Sequence, residues 1–447
     1  MILKHAPVVE LHDLAVKTLG PCRIDSPLAA LLNGRGSSFH NVDETDKVLF
    51  DATVSAISSR ATVCDCLPAF EPAGPRRKIY FDPSKTRAAV VTCGGLCPGF
   101  NDVIRAIVME LTAHYGVKQI YGFCNGYQGF VAKYGRRVLD LTPELVDDIN
   151  EHGGTILATS RGEQDPAEIV DCLEAMSVNL LFVIGGDGTL RGAVRIAQEV
   201  ADRGRKIAIV GMPKTIDNDI MFIDQSFGFQ TAFSEAAKSI RAAHVEAKSS
   251  PNGVGLVRLM GRHSGFIACY ASLALSDADF VLIPEVPFSL EGQRGLLPEL
   301  ARRIAERGHA VIVVAEGAGQ ELMQASAAAT DASGNARLQD IGLFLKQRIS
   351  DYFAIAGIEL NLKYIDPSYA IRSVPANPHD SVYCIRLAHN AVHAAMSGCT
   401  EMVVGRWHGR FVHVPMPLAI RERNTVDPDG DLWMSVLEST GQPRHFG

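Results

Sequence analysis

The apolar run Leu180-Leu181-Phe182-Val183-Ile184 passes directly into Gly185-Gly186-Asp187-Gly188-Thr189. An unbroken apolar run stopped by glycines reads as a short strand buried on both faces. A second such passage follows, in which Ile207-Ala208-Ile209-Val210 leads to Pro213-Lys214-Thr215-Ile216-Asp217-Asn218-Asp219. Both acidic motifs therefore sit where a buried strand ends, and open α/β sheets bind their ligands at strand carboxyl ends.

Outward from these two strands the pattern repeats. Ala88–Thr92, Gln119–Phe123, Val254–Leu259, Phe280–Ile283 and Ala310–Ala315 are further strand candidates. Between them lie helical stretches, such as Asp102–His114 with Val103, Ile107, Val108 and Leu111 on one face. Strands alternating with helices imply βαβ units and mostly parallel sheets. The number of strands predicts an α/β protein of two doubly wound domains. Residues 1–84 carry mixed patterns and two turn-rich stretches, 33–38 and 71–75, and read as an N-terminal extension. Residues 325–335, small and polar, read as a surface loop.

At 447 residues the chain is too long for one ordinary core. No apolar run approaches the ~20 residues needed to span a bilayer, and the N-terminal residues lack a signal-peptide core. A cytoplasmic location is expected. The net charge of −7 argues against nucleic acid as a partner. An anionic substrate must then be held by local Arg and Lys clusters. The ten cysteines show no zinc-site spacing and are expected to be reduced thiols. Cys93 and Cys97 flank a candidate phosphate loop, so their oxidation is expected to inhibit.

That loop is Cys93-Gly94-Gly95-Leu96-Cys97-Pro98-Gly99-Phe100-Asn101. Glycines between a strand and a helix let backbone N–H groups approach a polyphosphate. It has neither the Walker ending nor the dinucleotide spacing. Asp187 can face a magnesium ion, which takes few protein oxygens and much water and phosphate; its alternative role is to cap the following helix. Asp217 and Asp219 suit general-base chemistry. Lys214 adds a charge where charge shifts in the transition state, and Thr215 can hydrogen-bond the transferring group. The bland alternative for this motif is a solvated acidic turn.

Six segments together resemble the 6-phosphofructokinases: 93–106, 185–193, 213–220, 259–268, 315–319 and 363–373, in family order. The variant with Lys214 looks most like the long ATP-dependent enzymes of plants and kinetoplastids, relatives of the pyrophosphate-dependent enzymes. The resemblance implies a glycolytic kinase, with magnesium, acting on fructose 6-phosphate and ATP. It implies Asp217 as the base, and Thr215, Asp219 and Lys214 around the transfer. It assigns Gly95, Arg161, Gly162, Gly186, Asp187, Gly188 and Thr189 to the nucleotide side, with Asp187 at the metal. It assigns Met260, Gly261, Arg262 and Glu316 to the sugar, and Lys363, Tyr369 and Arg372 to its 6-phosphate. Residues 85–225, completed by about 376–410, become the nucleotide domain. Residues 226–375, completed by about 411–447, become the sugar-phosphate domain. A homo-oligomer, tetramer or dimer, is implied as well.

The chain departs from the short bacterial members. Lys214 replaces a glycine, Gly253 replaces an arginine that reaches a neighbouring subunit, and Lys363 and Tyr369 replace an arginine and a histidine. Subunit sharing of the substrate site does not carry over safely. Two features bear on the donor in opposite directions. Gly188 leaves room for a nucleotide α-phosphate where pyrophosphate users resemble Gly-Gly-Asp-Asp, whereas Lys214 is the residue of those users. Space at Gly188 weighs more than a flexible lysine, so ATP is expected and pyrophosphate is the alternative. A NAD-kinase-like or lipid-kinase-like enzyme would share only the Gly-Gly-Asp-Gly-Thr motif. A non-catalytic regulatory subunit would not need both Asp187 and Asp217.

Overall fold

The computed structural model describes residues 11–28, 41–42, 45–61, 67–323 and 338–447. The turn-rich stretch 33–38, the cysteines at 64 and 66 and the loop expected at 325–335 lie outside them. Each predicted strand is present, as Arg87–Thr92, Gln119–Phe123, Leu180–Gly185, Ala208–Pro213, Gly253–Leu259, Phe280–Leu282 and His309–Ala315. Their inner residues, from Val90 and Val183 to Val257 and Val313, are fully buried. Burial on both faces explains why the runs are continuous rather than alternating.

Among the described residues, the larger sheet has nine strands. Its centre is parallel, in the spatial order Gln119–Phe123, Arg87–Thr92, Leu180–Gly185, Ala208–Pro213, Met402–Trp407. In chain order this is 2-1-3-4-5, the doubly wound arrangement whose ligand crevice opens where the winding reverses. The reversal falls between Arg87–Thr92 and Leu180–Gly185, the strands that carry the Cys93 loop and the Asp187 motif. Antiparallel strands close both ends. Val138–Asp140 lies beside Gln119–Phe123, while Arg410–Pro415, Ala69–Pro72 and Val48–Leu49 extend the other edge. Part of the N-terminal extension thus completes the main sheet. Phe50 and Phe70 pack there against Phe222 and Trp407, and the Trp407 indole donates to the Phe50 carbonyl at 3.0 Å.

The smaller sheet is parallel throughout, in the order Phe280–Leu282, His309–Ala315, Gly253–Leu259, Asn361–Ile365. The chain crosses between the sheets more than once. Helix Pro378–Met396 and strand Met402–Trp407 return to the first sheet. Helix Asp431–Thr440 returns to the second, where Gln442 hydrogen-bonds both backbone groups of Val281. The buried Arg303–Asp279 pair holds this end, with Arg303 also donating to the Thr440 carbonyl.

The helix expected over Asp102–His114 begins earlier and changes form. Gly99, at φ 99°, starts an α-helix at Phe100–Met109, which widens to a π-turn over Glu110–Tyr115. Positive φ suits glycine, and the site itself is crowded: a Cβ on Gly99 would lie 2.7 Å from Cys384 Sγ.

Candidate active site

The two acidic motifs meet at adjacent strand ends. Ala208–Pro213 and Leu180–Gly185 run in parallel register with Pro213 beside Gly185, and Lys214 N donates to the Gly185 carbonyl at 3.0 Å. Gly186 caps the helix Asp187–Asp202, so Asp187 stands on its first turn. There a carboxylate is favoured by the helix N-terminus. Asp187 is held by Arg191 one turn on, at 2.9 and 3.1 Å, and by Arg423 at 3.2 Å. Thus Asp187 does not serve as a conventional side-chain N-cap; it faces the cleft.

The cleft in front of these strand ends has a volume of about 690 Å³. It is lined by Arg161, Gly162, Gly186, Asp187, Gly188 and Thr189 from the expected nucleotide set, and by Gly94 of the glycine loop. Lys214, Thr215 and Asp219 line it from the transfer side, and Tyr127, Ile169 and Ile196 give it an apolar wall. Gly95 joins through its neighbours, since a Cβ there would lie 3.5 Å from Arg372 Nη1 and 3.6 Å from Arg161 Nη2. Two guanidinium groups therefore approach the glycine loop at Gly95. Lys214 comes close to the neighbouring glycine, with Nζ 3.4 Å from a Cβ built on Gly94. A Cβ on Gly188, by contrast, meets nothing within 4 Å.

In the Thr215–Asp219 turn, Thr215 Oγ1 donates to Asp219 at 2.9 Å and accepts from Asp217 N at 3.1 Å. Asn218 takes a left-handed φ of 55°, which asparagine tolerates better than most residues. Its side chain accepts from Ser226 N at 2.8 Å, pinning the turn. Asp217 is left with one buried, unpartnered carboxylate oxygen. Its carboxyl pKa is pushed up to about 8, by burial first and then by Asp219 and Glu316, with Lys214 and Arg423 opposing. Burial lowers the Lys214 pKa against the pull of nearby Cys97, Asp217 and Asp219. A buried carboxyl of raised pKa beside a buried lysine is not a solvated acidic turn, and perturbed groups of this kind cluster at functional sites.

The second sheet contributes its own strand ends. Met260 and Gly261 follow Gly253–Leu259, and Glu316 follows His309–Ala315. Glu316 N donates to Leu259 O at 2.9 Å, and Gly317 N to Gly261 O at 3.1 Å, so the two loops are knitted together. Gly261, at φ 127°, allows Ser264 to turn back and donate to the Asp217 carbonyl at 2.9 Å. Burial raises the Glu316 pKa, while Arg258, Arg262 and Arg372 pull it down. Glu316, Arg262 and Arg372 therefore share one electrostatic neighbourhood, and the Glu316 charge also acts on Asp217.

Two expected sugar-phosphate residues are solvent-exposed. Lys363 is exposed in mid-strand, opposite Gly255. Tyr369 is 76 % exposed, with the Arg372 guanidinium 4.9 Å from its ring centroid. Gly253, where an arginine was noted as missing, has no room for a side chain, because a Cβ would lie 1.9 Å from the Ala247 carbonyl. The cysteine expectation is also revised. Cys93 and Cys97 are buried, and burial pushes the Cys93 thiol up to about 12 and Cys97 further still. Neither supplies the thiolate that oxidation needs.

Sequence reasoning missed Arg423, which touches both Asp187 and Asp219. The signal was weak: Arg421-Glu422-Arg423-Asn424 is an ordinary polar run after an apolar turn. Only its return to the first sheet selects one arginine.

A doubly wound sheet with carboxylates, glycine turns and a buried lysine at its reversal point defines an α/β protein with a phosphate-handling cleft. The phosphofructokinase family profile matches residues 87–395. An ATP-dependent 6-phosphofructokinase of Amycolatopsis methanolica is 56 % identical over 98 % of this chain and 97 % of its own length. One of Trypanosoma brucei brucei is 42 % identical over 89 % of this chain and 82 % of its own. A pyrophosphate-dependent phosphofructokinase structure from Marinobacter aquaeolei shares the fold, at TM-score 0.65 and 18 % identity, covering 79 % of this chain and 91 % of that one. The chain belongs to the phosphofructokinase family.

Proposed function

We propose that this protein transfers the γ-phosphoryl group of ATP to the 1-hydroxyl of fructose 6-phosphate, giving fructose 1,6-bisphosphate and ADP. The observation that carries the reading is the open space at Gly188, inside a cleft with Asp187 and Lys214 on its walls. Near-full-length relatives named for ATP support it.

Asp217 takes the proton of the attacking hydroxyl. Its raised pKa makes it a stronger base than an exposed carboxylate. Thr215 and Asp219 fix the turn that presents it, and Lys214 faces the charge that develops during transfer. Gly95, Arg161, Gly162, Gly186 and Thr189 border the donor phosphates. Met260, Gly261, Arg262 and Glu316 orient the sugar, and Arg372, with Lys363 and Tyr369, meets its 6-phosphate. Arginine suits that dianion because its planar fork gives two parallel bonds.

Magnesium fits Asp187. The described residues contain no cluster of three or more side-chain ligands, and a single carboxylate at a phosphate cleft suits an ion bound largely by water and phosphate. When bound, it neutralises donor phosphate charge. The first sheet serves as the nucleotide domain and the second as the sugar-phosphate domain, in a cytoplasmic homo-oligomer. No described helix is long and apolar enough to cross a membrane.

Pyrophosphate remains the second reading, supported by Lys214 reaching toward Gly94. Assaying fructose 6-phosphate with ATP and with pyrophosphate side by side separates the two. Turnover with pyrophosphate alone refutes the ATP assignment, and turnover with neither refutes the enzyme.

A further inference from the structure

Arg423 comes from neither acidic motif, yet it joins them. One guanidinium nitrogen donates to Asp187 at 3.2 Å and the other to Asp219 at 3.0 Å. These carboxylates sit at the ends of two different strands. The segment that carries Arg423 is itself anchored. Arg423 bridges Ile220 in antiparallel fashion, and Asn424 N donates to the Asp219 carbonyl at 2.9 Å. The Asn424 side chain donates to the Asn218 carbonyl at 3.2 Å. Two residues on, Val426 N donates to Glu285 at 2.8 Å, and the same oxygen accepts from Gly265 N, just beyond the Met260–Ser264 loop. Residues 423–426 thus form a strap from the donor-side carboxylate, across the base-bearing turn, to the second sheet.

We propose that Arg423 is a positioning residue for phosphoryl transfer, holding Asp187 and Asp219 at a set separation and offsetting their charge beside the donor phosphates. The role rests on the function proposed above. Without the guanidinium, Asp187 keeps Arg191 and Asp219 keeps Thr215 as a side-chain donor. The turn bearing Asp217 then loses a side-chain tie to the Asp187 helix, and two carboxylates face an incoming polyanion. Arg423 is about one-third exposed and lines the cleft, so it lies where donor phosphates approach. Its planar fork spans two acceptors, which a lysine's point charge does not reproduce.

The test compares wild type, R423Q, R423K and R421Q in ATP- and fructose 6-phosphate-dependent turnover. Arg421 lies on the same segment but pairs with Asp13, so R421Q is expected to behave as wild type. R423Q should lower kcat about 100-fold through misplacement of the reacting groups. It should also raise the KM for ATP about tenfold through loss of a charge-assisted contact. R423K should recover the ATP KM, because charge is restored, while kcat stays depressed, because the fork is not. The KM for fructose 6-phosphate should change little in either variant. Folded R423Q with kcat within about threefold of wild type overturns the proposal. So does equal loss in R423Q and R423K with unchanged KM and a lowered melting temperature, which marks a purely structural arginine. Inactive wild type overturns the functional reading and this proposal with it; active wild type isolates the outcome to Arg423.

Discussion

Gly188→Asp would place a second carboxylate beside Asp187 at the mouth of the donor cleft. The backbone permits it: a Cβ at this position meets nothing within 4 Å, so the new side chain extends into open space. Position 188 is in the first turn of helix Asp187–Asp202. An acidic residue there gains a few tenths of a kcal/mol from the helix N-terminus, and replacing a helical glycine adds about 0.5 kcal/mol. The variant is therefore expected to melt at the same temperature as wild type or slightly higher. Its effect on the donor is the reverse. Two unit charges roughly 5 Å apart repel by about 3 kcal/mol at an effective dielectric of about 20, and by under ~1 kcal/mol in bulk water. Residue 188 is exposed at the cleft wall, so screening places the penalty between these limits, at about 1.5–2 kcal/mol. That corresponds to roughly a 10- to 30-fold loss in kcat/KM for ATP. The assay measures fructose 1,6-bisphosphate formation at varied ATP, with thermal melting run on the same preparation. A folded Gly188→Asp protein with undiminished kcat/KM for ATP would refute the argument that open space at Gly188 admits the nucleotide.

Asp217→Asn should lower kcat by about 10²–10⁴, the range for loss of a general base, yet raise the melting temperature. The Asp217 carboxyl has a folded-state pKa raised to about 8, so wild-type stability falls as pH rises from the ordinary carboxylate range through 8; the variant lacks this loss. Its stability advantage should therefore grow between pH 5 and pH 8, and a pH series of thermal melts that shows no such trend contradicts the burial argument. In wild type, kcat/KM should climb between about pH 7 and pH 8 as the same carboxyl ionises, and a flat profile there would remove Asp217 as the base. Lys214→Met should keep the fold, because the buried stem is replaced by an apolar one of similar length, while turnover drops by about 100-fold or more; kinetics beside a melting curve separates the two effects. Iodoacetamide at neutral pH should leave activity intact, since Cys93 and Cys97 are buried with raised thiol pKa values; rapid inactivation with labelling of either thiol would show that the loop opens.

The strands were legible because their burial leaves a local mark. Leu180–Ile184 and Ala310–Ala315 must be apolar at every position when both faces are covered. The acidic motifs were legible for a related reason, as they directly follow such runs, at the strand ends where open α/β sheets bind ligands. Helix ends were less so: Gly99 moves the start of its helix forward through a left-handed backbone angle. The thiols of Cys93 and Cys97 were misjudged because sequence placed them beside a phosphate loop without showing that both side chains point inward.

The sequence by itself determined a parallel α/β architecture, two acidic strand-end motifs and a family, because these depend on periodicity and on short contiguous segments. Tertiary structure alone decided how those segments meet. It brought Arg161 and Arg372 close to Gly95, left Asp217 with an unpartnered buried oxygen, and carried Arg423 from the far end of the chain to a fork between Asp187 and Asp219. Such contacts join residues as distant in sequence as Gly95 and Arg372, or Asp187 and Arg423. No local pattern encodes them, since they follow from sheet order and chain return, and the chemistry of the site depends on distances that only those fix.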